Sequence, residues 1–211
     1  MFLFLSLFLS TCLSWSSENP ASVSPALQML QKEKGFTRRF SPELSLVTSS
    51  FQGDINYEQS QKFGYGVGAL IEFGSTQATF ETGFLYRQLG SRGKFENLSI
   101  NYDIGYFAIP LGVKYELTPI NPWFVKASIL PSYAFSKHLN LSDGQVSETY
   151  HLKTRDYDFQ AVVSVGKRWI QDQDSSFIVS LQYLRGLVSV SENYEIYNSA
   201  FLFSAAYAFE Q

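Results

Sequence analysis

Residues 63–73 read FGYGVGALIEF, and their alternation decides the fold class. Phe63, Tyr65, Val67, Ala69, Ile71 and Phe73 fall on one side of an extended chain, with Gly64, Gly66, Gly68, Leu70 and Glu72 on the other. Side chains of a strand point alternately to its two faces, so a period of two sustained over this stretch predicts a strand with one apolar, aromatic face.

The pattern recurs outward along the chain. In 78–86 the apolar side is Ala78, Phe80, Thr82, Phe84 and Tyr86, and in 103–117 it is Phe107, Ile109, Leu111, Val113, Tyr115 and Leu117. In 123–135 Trp123, Val125, Ala127, Ile129, Tyr133 and Phe135 oppose Phe124, Lys126, Ser128 and Ser132. Residues 157–169, 177–187 and 199–209 repeat it, and a weaker strand at Arg39 to Phe51 brings the count to eight. The connections alternate as well. Gly74 to Gln77, Thr118 to Pro122 and Ile170 to Ser176 are short, whereas 52–62, 88–101, 136–156 and 188–198 are long and polar, and are expected to be irregular. An even strand number with short turns at one end and long loops at the other predicts an eight-stranded antiparallel up-and-down transmembrane β-barrel, with both termini in the periplasm.

Composition agrees with that class. Of 211 residues, 45% are hydrophobic, 17% aromatic and 17% charged, which suits strands and argues against disorder. A net charge of −3 without a Lys/Arg cluster excludes nucleic acid as the expected partner. Beyond the leader, no stretch is long and apolar enough for a membrane-spanning helix. The leader itself is Met1 to Leu13, MFLFLSLFLSTCL, with small residues Ser14 and Ser16 placed for cleavage, so residues 1–16 are expected to be a signal peptide. The one cysteine, Cys12, lies in it. Ser24-Pro25 ahead of ALQMLQKEK and Gly35 predicts a short helix within a periplasmic segment, 17–36, leaving 37–209 for the barrel.

A soluble lipocalin-like barrel for an apolar ligand would also alternate, so the second face is the test. That face is rich in Gly, Ala and Ser and carries Glu72, Glu81, Glu116, Lys114, Lys126 and Arg168, three acids against three bases. These six are expected to fill the lumen as an ion-pair network, because buried charges must be paired. The first face carries aromatics near its ends. Phe63, Phe73, Phe80, Tyr86, Trp123, Tyr133, Trp169 and Phe177 would form membrane-interface girdles, while Lys167 and Arg185 snorkel from strand ends.

FAIPLGVKY (107–115), with a proline inside a strand, VVSVGKRW (162–169), FIVSLQYLRGL (177–187) and AFLFSAAYAF (200–209) resemble the small outer-membrane β-barrel proteins of the porin-family or PorT-like type, more loosely the OmpA type. The resemblance spans about 170 residues and implies no shared reaction. It implies that Phe203, Tyr207 and Phe209 in the last strand act as the signal read by the barrel-assembly machinery, here followed by Glu210 and Gln211.

The chemistry of an enzyme is sparse. Gly64, Gly66 and Gly68 alternate within a strand and do not make a phosphate loop. His138 and His151 share the longest loop with Asp143, Glu148 and Asp156, but their spacing matches no metal motif, and no cofactor is expected. Ser136 beside His138 is the one pair that suggests a lipid-modifying enzyme at the rim. The leading expectation is a non-enzymatic, monomeric barrel of the bacterial outer membrane. It would touch outer-membrane lipid, lipopolysaccharide or another envelope protein through its loops. A barrel-embedded lipid enzyme and a soluble apolar-ligand binder stand as alternatives.

Overall fold

The structure is a computed structural model, and it describes residues 36–53, 58–75, 77–96, 98–117, 122–143, 147–151, 154–172 and 174–210. The expected signal peptide and the expected short helix lie outside these residues. The chain divides into two units, residues 1–36 and 37–211, and the second forms the sheet.

Eleven strands occur in chain order. They are β1 (Phe36–Gly53), β2 (Glu58–Ser60), β3 (Lys62–Ser75), β4 (Ala78–Phe95), β5 (Leu98–Ala108), β6 (Leu111–Glu116), β7 (Trp123–Ser142), β8 (Ser147–His151), β9 (Tyr157–Asp172), β10 (Ser175–Gly186) and β11 (Ile196–Glu210). Every strand of the ring hydrogen-bonds its neighbours in sequence. β1 pairs with β3, β3 with β4, β4 with β5 and β6, these two with β7, then β9, β10 and β11 follow. β11 returns antiparallel to β1, from Arg39 opposite Glu210 to Gly53 opposite Ile196, and closes the barrel. With β5 and β6 counted as one interrupted strand, the ring has eight members.

That interruption falls at Ile109 and Pro110. Proline has no N–H to give to the ladder, and the facing strand also carries a proline, Pro131, whose carbonyl accepts from Ile109 N at 3.1 Å. The single strand expected over 103–117 is therefore two strands in one ring position.

Two of the expected irregular loops are instead ladders. β4 and β5 continue as a hairpin to Phe95 opposite Leu98, and β7 runs to Ser142, paired with β5 on one side and β8 on the other. β2 adds to β4 through Glu58–Lys94 and Ser60–Arg92. A wall in the order β2-β4-β5-β7-β8 thus rises past the barrel, its backbone groups satisfied by neighbouring strands. Glu96, at the tip of the β4–β5 hairpin, takes φ 54°. At the end of β1, Gly53 has φ 126°, and a Cβ there would lie 1.7 Å from the Glu195 carbonyl oxygen, so no other residue fits.

Through the middle of the barrel the alternation maps directly onto the two faces, and it slips at a bulge where β7 passes Gly105 of β5. Leu44, Phe63, Phe84, Val113, Ile129, Val163, Leu181 and Phe203 face outward and are exposed, while their neighbours in sequence point into the lumen.

Candidate functional site

The lumen has two walls of different side-chain size. Register lines up Ser45, Ser204, Ser180 and Gly166 across β1, β11, β10 and β9. Against this small wall β3, β4, β6 and β7 project long charged side chains. There the register sets like beside like: Glu72 is directly opposite Glu81, and Lys114 directly opposite Lys126. Adjacent like charges repel, so each acid is matched one strand further on. Lys114 Nζ donates to Glu72, and Lys126 Nζ donates to both Glu81 oxygens at 2.8 and 3.1 Å. The Lys114 ammonium also lies 5.2 Å from the centre of the Phe124 ring.

The network extends beyond the six residues expected from sequence. Arg39 donates to Glu72 at 3.3 Å, Glu116 at 3.2 Å and Glu210 at 2.9 Å, while Arg168 donates to Glu116 at 2.8 Å and Glu210 at 2.7 Å. Arg39 and Glu210 sit on the first and last strands, so these bonds cross the closing seam. Glu210, expected only to trail the terminal Phe209, is thus a lumen group held by two arginines. A little further from the short turns, Arg87 donates to Gln182 Oε1 at 3.1 Å and lies 3.8 Å from Glu43. Arg39 and Glu43 were legible in principle, because Arg39, Ser41, Glu43, Ser45, Val47 and Ser49 alternate with Phe40, Leu44 and Leu46. Pro42 and the serines blur that signal.

Charges do not fill the other half of the lumen. Below the long connections the interior is a packed apolar cluster that includes Val47, Leu70, Leu85, Leu89, Ile104, Leu130, Val162, Leu184 and Leu202. Val47, Ile104, Leu184 and Leu202 have 0% exposure. The connection after β10 folds over this end. Val190 N donates to the Ile196 carbonyl at 2.7 Å, its carbonyl accepts from Arg155 N at 3.0 Å, and its side chain joins the cluster. A cluster of four polar side chains is embedded here: Asn198 Nδ2 donates to Tyr106 Oη at 2.9 Å and to Asp158 Oδ2 at 2.8 Å, and Gln160 Nε2 donates to the same carboxylate oxygen at 2.9 Å. Among the described residues, the ion pairs of Glu72, Glu81, Glu116, Lys114, Lys126 and Arg168 lie in the turn-side half of the lumen.

The outer face carries aromatic residues at two levels. Toward the short turns, Phe73 contacts Phe80 at 5.0 Å between ring centres and Trp169 contacts Phe177 at 6.2 Å; the Lys167 ammonium lies 5.6 Å from the Trp123 ring and 5.4 Å from the Trp169 ring. Toward the long connections are Phe63, Tyr86 in contact with Tyr65 at 5.7 Å, and Tyr133 in contact with Tyr157 at 5.4 Å. Arg185 stacks on Tyr197 at 5.4 Å and bonds Gln52. On β11, Phe203, Tyr207 and Phe209 all point outward, and Tyr207 meets Phe209 at 5.0 Å.

His138 and Ser136 face outward on β7. His138 is opposite Asp103 on one side and His151 on the other, and Ser136 is opposite Gly105. Asp103 already accepts from Lys62 and from Gln88 Nε2. Among the described residues, no group of three or more His, Cys, Asp or Glu gathers to hold a metal ion.

The sequence matches the model of the outer membrane protein beta-barrel domain over residues 30–192. No curated protein matches. Among solved structures, the outer membrane protein OprG from Pseudomonas aeruginosa is similar at 8% identity and TM-score 0.53, over 84% of this chain and 96% of its own. Neisserial surface protein A is similar at 8% identity and TM-score 0.50, over 83% and 96%. Both likenesses speak for the fold alone.

Proposed function

The chain belongs to the outer membrane β-barrel domain family, and from that premise we propose that it is a plugged, non-enzymatic barrel that acts through its outward wall and conducts no solute through its lumen. The observation that carries this reading is the apolar cluster, whose central side chains Val47, Ile104, Leu184 and Leu202 have no exposed surface. Eight strands leave room for little beyond side chains, and a dry aliphatic layer opposes ions more strongly than a hydrated charged one.

In this reading the aromatic levels mark the two membrane interfaces, and the short turns and both termini lie in the periplasm. The wall of β2, β4, β5, β7 and β8 then stands on the cell surface, where it meets lipopolysaccharide or an envelope partner. The charged network is structural filling. Phe203, Tyr207 and Phe209 serve the assembly machinery, and a monomer suffices because closure leaves the ring no free edge.

Planar-bilayer recording of the refolded full chain tests the reading. It expects a silent membrane, and discrete ion-conducting steps from the unaltered protein would sink it.

A further inference from the structure

Just beyond the loop-side aromatics, the outer face of the wall holds a concavity of about 400 Å³. A bulge makes it. The register of β5 against β7 shifts between Gly105 and Tyr106, so that Gly105 faces Ser136 while Tyr106 faces Ala134, and Phe135 is the extra residue. Phe135 lies over Gly105, where a Cβ would be 3.1 Å from its ring. The side chain missing at Gly105 makes room for that ring at the edge of the depression.

Tyr86 lines the foot of the depression, and Phe107 and Phe135 continue from it as an aromatic patch. Phe135 stacks on Phe107 at 4.5 Å, and both lie close to Tyr86, at 5.7 and 5.9 Å between ring centres. Its upper rim is polar, with Gln88, Asp103, Ser136, His138, Asn140 and Thr149 converging from four strands. Thr149 Oγ1 donates to Asn140 Oδ1 at 2.7 Å. That leaves the Asn140 NH₂ and the Ser136 hydroxyl without a hydrogen-bond partner among the described residues. No lysine or arginine lines the depression, and the nearby Lys62 charge is met by Asp103.

An aromatic patch beside amide and hydroxyl groups, with the carboxylate of Asp103 taken up by Lys62 and Gln88, suits an amphiphile with a hydroxyl-bearing head. A phosphate would call for guanidinium or ammonium groups, which the lining lacks. The geometry points to a binding site for an uncharged sugar of an outer-leaflet glycolipid, its hydroxyls on Ser136, Asn140 and Gln88 and its acyl chain along Tyr86, Phe107 and Phe135. This site rests on the reading that the long hairpins face outward.

Native mass spectrometry of the refolded full chain, released from detergent micelles, tests it with diglucosyl diacylglycerol, phosphatidylglycerol and maltose as probes. The unaltered protein should retain the glucosyl lipid about tenfold better than phosphatidylglycerol. The double variant Ser136→Ala, Asn140→Leu should lose that preference about tenfold, as expected for two hydrogen bonds, while migrating on gels, boiled and unboiled, as the unaltered protein does. Equal retention of the two lipids by the unaltered protein overturns the site whether or not the variant folds. A preference that survives in the variant overturns it too, and so does maltose competing as well as the lipid or release of fatty acid from it. Glu96→Cys, labelled on intact cells with a membrane-impermeant maleimide, separates the two levels of inference. Labelling without a sugar preference defeats the site alone; no labelling defeats the outward orientation and the site with it.

Discussion

The two halves of the lumen hold the same eight strands together by different physics. Beside the short turns, Arg39, Glu72, Lys114, Glu116, Arg168 and the half-buried Glu210 form one connected set of ions that reaches across the seam and past adjacent strands. Under the hairpins, Val47, Ile104, Leu130, Leu184 and Leu202 depend only on shape and on exclusion of water. The charged half makes strand order and register costly to change, because losing one member strands its partners in a buried site. The apolar half is more forgiving in chemistry and less so in volume.

The strongest break in that contrast is Glu72→Gln. It leaves Arg39 and Lys114 short of a counter-charge and should cost about 3–5 kcal/mol, read as urea unfolding of the protein in lipid vesicles. Leu202→Ala should cost about 2–5 kcal/mol by leaving a cavity in the aliphatic layer. It should also differ in kind: added salt would change the Glu72→Gln cost and leave the Leu202→Ala cost untouched, and equal salt responses would dissolve the distinction between the halves. The neighbours Val163 and Ser164 sharpen it from outside and inside the same strand. Val163→Arg puts a charge at mid-strand on the outward face and should cost roughly 2–4 kcal/mol in a bilayer. Ser164→Ala removes a buried hydroxyl that has no hydrogen-bond partner among the described residues and should shift stability by less than about 0.5 kcal/mol. Comparable small effects at both positions would mean that the outward face does not meet lipid.

The ease of reading this protein from its sequence tracks how local each feature is. Strand and facing direction at 63–73 need only that one short run of consecutive residues. The hairpin extension of β4, β5 and β7 escaped because Gly90, Ser91, Gly93, Asn101, Asn140 and Ser142 look like loop composition. Their strand character comes from pairing with partners on other segments of the chain. The pocket at Gly105 escaped for a related reason: a bulge is a relation between two strands, and no residue on either one announces it.

By itself the sequence determined the eight positions of the ring, the outward and inward faces, and which end carries the short turns, because a strand's period of two acts within each segment. Tertiary structure alone decided which acid meets which base. The backbone ladder places Glu72 beside Glu81 and Lys114 beside Lys126, so attraction has to reach past the adjacent strand, and only the closed ring brings Arg39 and Glu210 within reach of each other. It also decided that aliphatic side chains pack the loop-side half of the lumen, since Leu70, Leu85, Leu130, Leu184 and Leu202 become a layer only when their separate strands bring them to one depth.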